Sequence, residues 1–299
     1  MGVRLLYTCS HVPLHFLEYS GYEMVSIHDL SAPGGIKNGA SANLCSMACY
    51  AMEIDLSDFN GVIFTNCCNS TQRLFDYITI SYPHIYSYML EIAKTREHGI
   101  NGWFNEQCIM LAESLNSFFG SRAVNAKKPR WESNFEKPEG HCIWLLGSAL
   151  DQSYANEAAD VLAPMQVRFE LCPSTNRGDI FLASGSSKEA AARAASCPGM
   201  MDYHNWLEEE ISNRSSDIDG VILVSLLKCD HIMFSYPEIR KICENFGIPM
   251  MLIEEEYKYG LSGRSRLRYE AFKEKIKVLS DFSKVVGFGA EPQGFKNHV

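Results

Sequence analysis

The sequence has no long hydrophobic run, a deficit of positive charge, and none of the C-x₂-C spacings that mark a zinc knuckle. No stretch approaches the roughly 20 uninterrupted apolar residues that a membrane-spanning helix needs. Lys and Arg total 27 against 36 Asp and Glu, a net charge of −9. No general positive field therefore draws in a phosphate backbone, and nucleic acid is not an expected partner. The opening stretch is broken by Thr8, Ser10 and His11 and lacks the apolar core of an export signal, so the expected location is the cytoplasm. The loop Ala32–Ala42 (APGGIKNGASA) is glycine-rich but lacks the Gly-Lys-Ser/Thr ending of a nucleotide-binding P-loop. It is either a surface loop or a set of backbone N–H donors for a phosphate or thioester.

What is present is a chain of 299 residues, 46% hydrophobic, enough for one large or two medium domains with a sizeable core. Short apolar runs of strand length alternate with segments of helical periodicity. The strands expected are Met24–His28, Gly61–Thr65, Cys142–Leu146, Gln166–Leu171, Gly220–Leu227 and Pro249–Glu254. The helices expected are Leu44–Met52, Phe104–Phe119, Ser153–Leu162, Lys188–Ala195, Tyr203–Ile211, Pro237–Phe246 with proline in its first turn, and Leu267–Leu279. Between them, Ala126–Gly140 carries two prolines and clustered charge without periodicity, the pattern of a linker. Continuous apolar strands separated by helices imply parallel sheets covered on both faces. The fold class expected is α/β: two doubly wound, Rossmann- or flavodoxin-like domains, residues 1–125 and 141–299, with a cleft between them.

Eleven cysteines are spread along the chain, an odd number without an export signal, which argues against a disulfide framework. Spacing alone favours buried packing residues. Position favours something else for a few of them. Cys67 and Cys68 directly follow the strand GVIFT, and Cys229 directly follows GVILVSLL. The two strands open alike, DFNGVI at Asp58–Ile63 and DIDGVI at Asp217–Ile222. Ligands in open parallel sheets collect at the carboxyl ends of strands, so these thiols are placed to converge on one cleft as metal or cluster ligands. Cys9, Cys49, Cys108, Cys142 and Cys243 are read as packing residues, and Cys172 and Cys197 as loop residues without a ligand role. His231, two residues past Cys229, is either a donor to the site or a solvent-facing loop side chain. Arg264, Arg266 and Arg268 are either solvated charge or a contact for phosphate groups.

These segments resemble the 2-hydroxyacyl-CoA dehydratase subunits, a family that includes benzoyl-CoA reductase subunits and double-cubane reductases. Val12–Val25 resembles its opening segment, Cys45-Ser46 its C-S pair at the head of a helix, and Asp58–Asp76 its D-G-V-V-x-x-T-x-C-D strand, loop and helix. Glu170–Arg177 (ELCPSTNR) is similar to its D-L-C-x-x-x-R loop. The stretch from Asp217 to Glu274 is similar to its K-F-C-D, Y-P, G-I-P-x-L-x-L-E and R-x-E-A-F-x-E motifs. Asn69 stands where the pattern has Asp, Arg264 where it has Gln, and Leu267 where it has Thr.

The resemblance implies a 4Fe-4S cluster held by three cysteines, which carry over to Cys45, Cys68 and Cys229, with Cys67 the ambiguous neighbour of Cys68. It implies a lyase subunit that removes water from a 2-hydroxyacyl-CoA through a one-electron ketyl radical mechanism. The implied partners are a homologous subunit or a second copy, and a separate ATP-dependent activator as electron donor. A benzoyl-CoA reductase-type or double-cubane reductase subunit, or a non-catalytic cluster-binding homologue, are the alternatives. No catalytic residue is assigned.

Overall fold

The structure is a computed structural model that describes residues 2–30, 43–92, 102–120, 141–148, 152–171, 197–257 and 260–286. The expected linker 126–140, the helix expected at 188–195, the loop 32–42 and Cys172 lie outside the described residues.

The first sheet is built from β1 (Val3–Tyr7), β2 (Tyr22–Ser26), β3 (Gly61–Thr65) and β4 (Tyr86–Leu90). Its helices are α1 (Leu14–Tyr19), α2 (Ser46–Ala51), α3 (Asn69–Ser81) and α4 (Trp103–Phe119). The second sheet is built from β5 (Cys142–Gly147), β6 (Gln166–Leu171), β7 (Ile218–Leu226) and β8 (Met250–Glu255). Its helices are α5 (Gln152–Leu162), α6 (Tyr203–Arg214), α7 (Asp230–Asn245) and α8 (Gly263–Val286). All pairings are parallel, and the strand orders are β2-β1-β3-β4 and β6-β5-β7-β8. The two sheets thus repeat one topology, with the order reversing between β1 and β3 and between β5 and β7.

Side chains alternate across each strand, and this sorts the apolar residues into three cores. Val62 and Phe64 of β3 meet Ile143 and Leu145 of β5 and Ile222 and Val224 of β7 in one cluster that spans both sheets. Ile63 faces the other way, onto Leu111 and Leu115 of α4. Trp144, Leu146, Val221 and Leu223 face outward onto α6 and α7. The buried Arg168 of β6 is tolerated because its guanidinium lies 4.2 Å from the Trp144 ring centre and pairs with Glu210 of α6 at 3.1 Å.

Three elements were not expected from the sequence: β1, α1 and β4. β1 is the central strand of its sheet, yet Arg4 interrupts its apolar pattern. That arginine sits at the strand's start, where it pairs with Glu23 at 2.9 Å and covers the Phe59 ring. A second difference concerns α7, which begins at Asp230, so that Pro237 lies inside the helix. Proline lacks one helix hydrogen bond, and the buried Ile232, Ile239 and Ile242 offset that loss.

The halves are clipped together near the start of α2. Ser46 donates its backbone N–H to Leu227 O at 3.1 Å, and its Oγ accepts from the Tyr257 N–H at 3.1 Å. Tyr257 also pairs its hydroxyl with His28 Nδ1 at 2.5 Å. Ser46→Ala leaves a buried N–H without this acceptor and is expected to cost about 1–3 kcal/mol, measurable by denaturant unfolding.

Glu255, at the end of β8, is buried, and its Oε1 accepts from the Tyr154 hydroxyl at 3.3 Å. Desolvation pushes its carboxyl above the usual carboxylate range. The native state therefore holds a proton that the unfolded chain has already released, and stability falls as pH rises from the ordinary carboxylate value through the raised one. Glu255→Gln removes this dependence, so its melting temperature relative to wild type is expected to climb as pH rises above the ordinary carboxylate value of about 4. A series of thermal melts at rising pH checks it.

Candidate functional site

Both sheets direct the carboxyl ends of their switch strands to one cleft. Beyond β3, the turn at Asn66–Cys68 leads into α3. Beyond β7, Lys228 takes up a left-handed conformation (φ 63°) and hands the chain to α7 through Cys229. That backbone is unfavourable for a side chain with a Cβ, and here it turns Cys229 onto the helix end. Cys45 caps α2, Cys68 caps α3 and Cys229 caps α7. A cleft of about 300 Å³ is lined by Cys45, Cys67, Cys68 and Cys229, with Asn66, Asn69, Gln72, Asp230, His231 and Phe234 on its walls.

At Cys68 the thiol takes the part that a Ser or Asp oxygen usually plays at a helix start: its Sγ accepts from the Thr71 N–H at 3.4 Å and lies 3.1 Å from Thr71 Oγ1. Cys45 and Cys229 hold the N-cap positions without a side-chain capping hydrogen bond, and the nearby amides of Met47 and Ala48, and of His231 and Ile232, favour their thiolates. Burial nonetheless outweighs these donors and pushes both thiols up. Metal binding at them consequently releases protons. In the adjacent pair, Cys68 donates its S–H to Cys67, which holds Cys67 down and Cys68 up. The sequence leads one to expect the helix start to lower Cys68. In the unliganded pair the sharing of one proton is stronger than that effect.

The remaining cysteines divide as their burial directs. Cys9 is buried with its Sγ 3.5 Å from His11 Nδ1, and Cys49 donates weakly to Leu44 O at 3.8 Å. Cys108 packs under the first sheet, and Cys142 and Cys243 under the second. Cys197 is buried, and every described cysteine is a free thiol. Arg266 pairs with Glu157 at 3.5 Å and Arg268 donates to Leu252 O at 2.7 Å, so both are engaged within the second half of the chain.

Among the described residues, no three His, Cys, Asp or Glu side chains converge on a single metal ion. Three soft thiol donors on three separate helix starts, spread around one cleft, fit a cluster, in which each thiolate binds its own iron. Sequence reasoning missed Thr71, the hydroxyl 3.1 Å from Cys68 Sγ, although a threonine three residues after a cap is a local pattern. It singled out Asn69 but missed Asn66 and Gln72, which complete an amide wall and carry no periodic signal.

A search of curated proteins finds no match to this chain. Residues 136–276 match the family model described as 2-hydroxyglutaryl-CoA dehydratase, D-component. That segment contains all four strands of the second sheet and Cys229 with the helix it caps. Over that segment the chain is similar to the 2-hydroxyacyl-CoA dehydratase subunit family.

Proposed function

We propose that this chain is the iron–sulfur subunit of a 2-hydroxyacyl-CoA dehydratase and converts a 2-hydroxyacyl-CoA into the 2-enoyl-CoA and water. One observation carries the reading: Cys45, Cys68 and Cys229, drawn from both sheets, line one cleft in a chain whose residues 136–276 match this family's model. These three residues are the proposed ligands of a 4Fe-4S cluster. When bound, it supplies one-electron redox chemistry and a Lewis-acidic iron.

The chain's own residues bind and orient the substrate. Asn66, Asn69 and Gln72 offer amide donors and acceptors to the thioester carbonyl and the 2-hydroxyl. Asp230 and His231 are the proton-carrying side chains on the wall, suited to accept the C3 proton and return one to the departing hydroxyl. The acyl group loses a hydroxyl and a proton and gains a C2–C3 double bond. Its overall oxidation level is unchanged, so the electron that starts the elimination is returned at its end. A separate, ATP-dependent one-electron donor and a homologous subunit or second copy complete the system. The free thiols and the proposed cluster suit the reducing cytoplasm. Residues 1–125 and 141–299 are the two proposed domains.

The test is anaerobic incubation of the iron- and sulfide-reconstituted chain with a 2-hydroxyacyl-CoA and a low-potential one-electron reductant. Loss of one water from the acyl-CoA, read by mass spectrometry, is expected. An iron-loaded chain that leaves several 2-hydroxyacyl-CoA thioesters unchanged, alone and with a homologous subunit, contradicts the dehydratase reading and favours a non-catalytic cluster-binding role.

A further inference from the structure

The N-cap cysteines lie among three hydroxyl side chains, two from the first turn of α3 and one from just beyond β5, and one of them meets a cysteine sulfur directly. Thr71 is buried in the first turn of α3, with Oγ1 3.1 Å from Cys68 Sγ and 3.4 Å from Cys67 Sγ. Ser70 Oγ accepts the backbone N–H of Cys45 at 3.4 Å. Ser148 is buried beyond β5, where its Oγ accepts the Leu226 N–H at 2.9 Å and its own N–H is tied to Val224 O at 2.9 Å.

A metal-bound thiolate has no proton to give, so a hydroxyl at hydrogen-bond distance from it is the donor. Thr71 meets that condition at Cys68. The Ser70 and Ser148 oxygens are engaged with the backbone N–H groups of Cys45 and Leu226.

We infer that Thr71 is a positioning residue that donates a hydrogen bond to the sulfur of Cys68 and raises the reduction potential of the cluster that Cys45, Cys68 and Cys229 hold. The inference rests on the cluster reading above. Its physics is that a reduced cluster carries more negative charge on its sulfurs and so gains more from each donor than the oxidised form. Removing a donor destabilises the reduced state more than the oxidised one and lowers the potential.

The test is a reductive titration, followed by absorbance and electron paramagnetic resonance, of the reconstituted full chain and of Thr71→Val. The variant is expected to keep wild-type iron and to titrate at more negative potential. Thr71→Ser, which keeps the hydroxyl, is expected to return toward wild type. Iron retained with an unmoved potential in Thr71→Val overturns the inference while leaving the cluster reading intact. Iron lost from Thr71→Val but kept in Thr71→Ser makes the hydroxyl a structural support and also overturns it. A wild-type chain that takes up no iron overturns the cluster reading itself.

Discussion

Cys68→Ala is expected to abolish cluster binding, whereas Cys67→Ala is expected to leave it largely intact. The two cysteines are adjacent, share a proton and line the same cleft, so composition does not separate them. Geometry does. Cys68 caps α3, with its sulfur already receiving the Thr71 N–H. A thiolate there is held by the helix's unpaired amides, and Cys45 and Cys229 occupy the same kind of position. Cys67 packs against the apolar core under the first sheet. Iron analysis of the two variants after anaerobic reconstitution is expected to give about four irons per chain for Cys67→Ala and close to none for Cys68→Ala. Equal loss in both, or loss only in Cys67→Ala, would put the ligand one residue earlier.

Gly147→Ala is expected to be the most damaging single methyl group in the fold. Gly147 ends β5 with φ +125°, and a Cβ there would sit 2.1 Å from Val224 O of the neighbouring strand. Neither the backbone angle nor the contact is available to alanine without moving β5 from β7, the two central strands of the second sheet. A loss of roughly 3–5 kcal/mol is expected, seen as a collapse of the denaturant midpoint or of soluble yield. Because Ser148 follows immediately, any chain that does fold is expected to misplace that hydroxyl as well. An unchanged midpoint would show that the strand pair has room the structure does not show.

Residue patterning made the second half of the chain more legible than the first. Cys142–Leu146 and Gly220–Leu227 are near-continuous apolar runs because their strands are buried on both faces, Gln166–Leu171 alternates as an edge strand does, and each is present within two residues of its expected limits. β1 and β4 carry Arg4 and four tyrosine or serine positions, most of them only partly covered, and these erase the apolar signal. The start of α7 was hidden by Pro237, because a proline inside a helix reads as a beginning.

The site was legible in the same uneven way. Cys68 and Cys229 were found because a strand end precedes each, and Cys45 through the resemblance of Cys45-Ser46 to the C-S pair. The contacts that join the strand ends around them cross the chain, such as Ser148 Oγ accepting the Leu226 N–H, 78 residues apart. No local sequence pattern records such a contact.

The central claim is that one iron–sulfur cluster is held jointly by both halves of the chain. Iron and acid-labile sulfide analysis of the strictly anaerobic wild-type chain beside Cys229→Ala tests it most directly, because Cys229 is the sole proposed ligand from the second sheet. About four irons and four sulfides per wild-type chain, and close to none in Cys229→Ala, is the result expected. A wild-type chain without iron and sulfide, or a Cys229→Ala chain that keeps both in full, would contradict it.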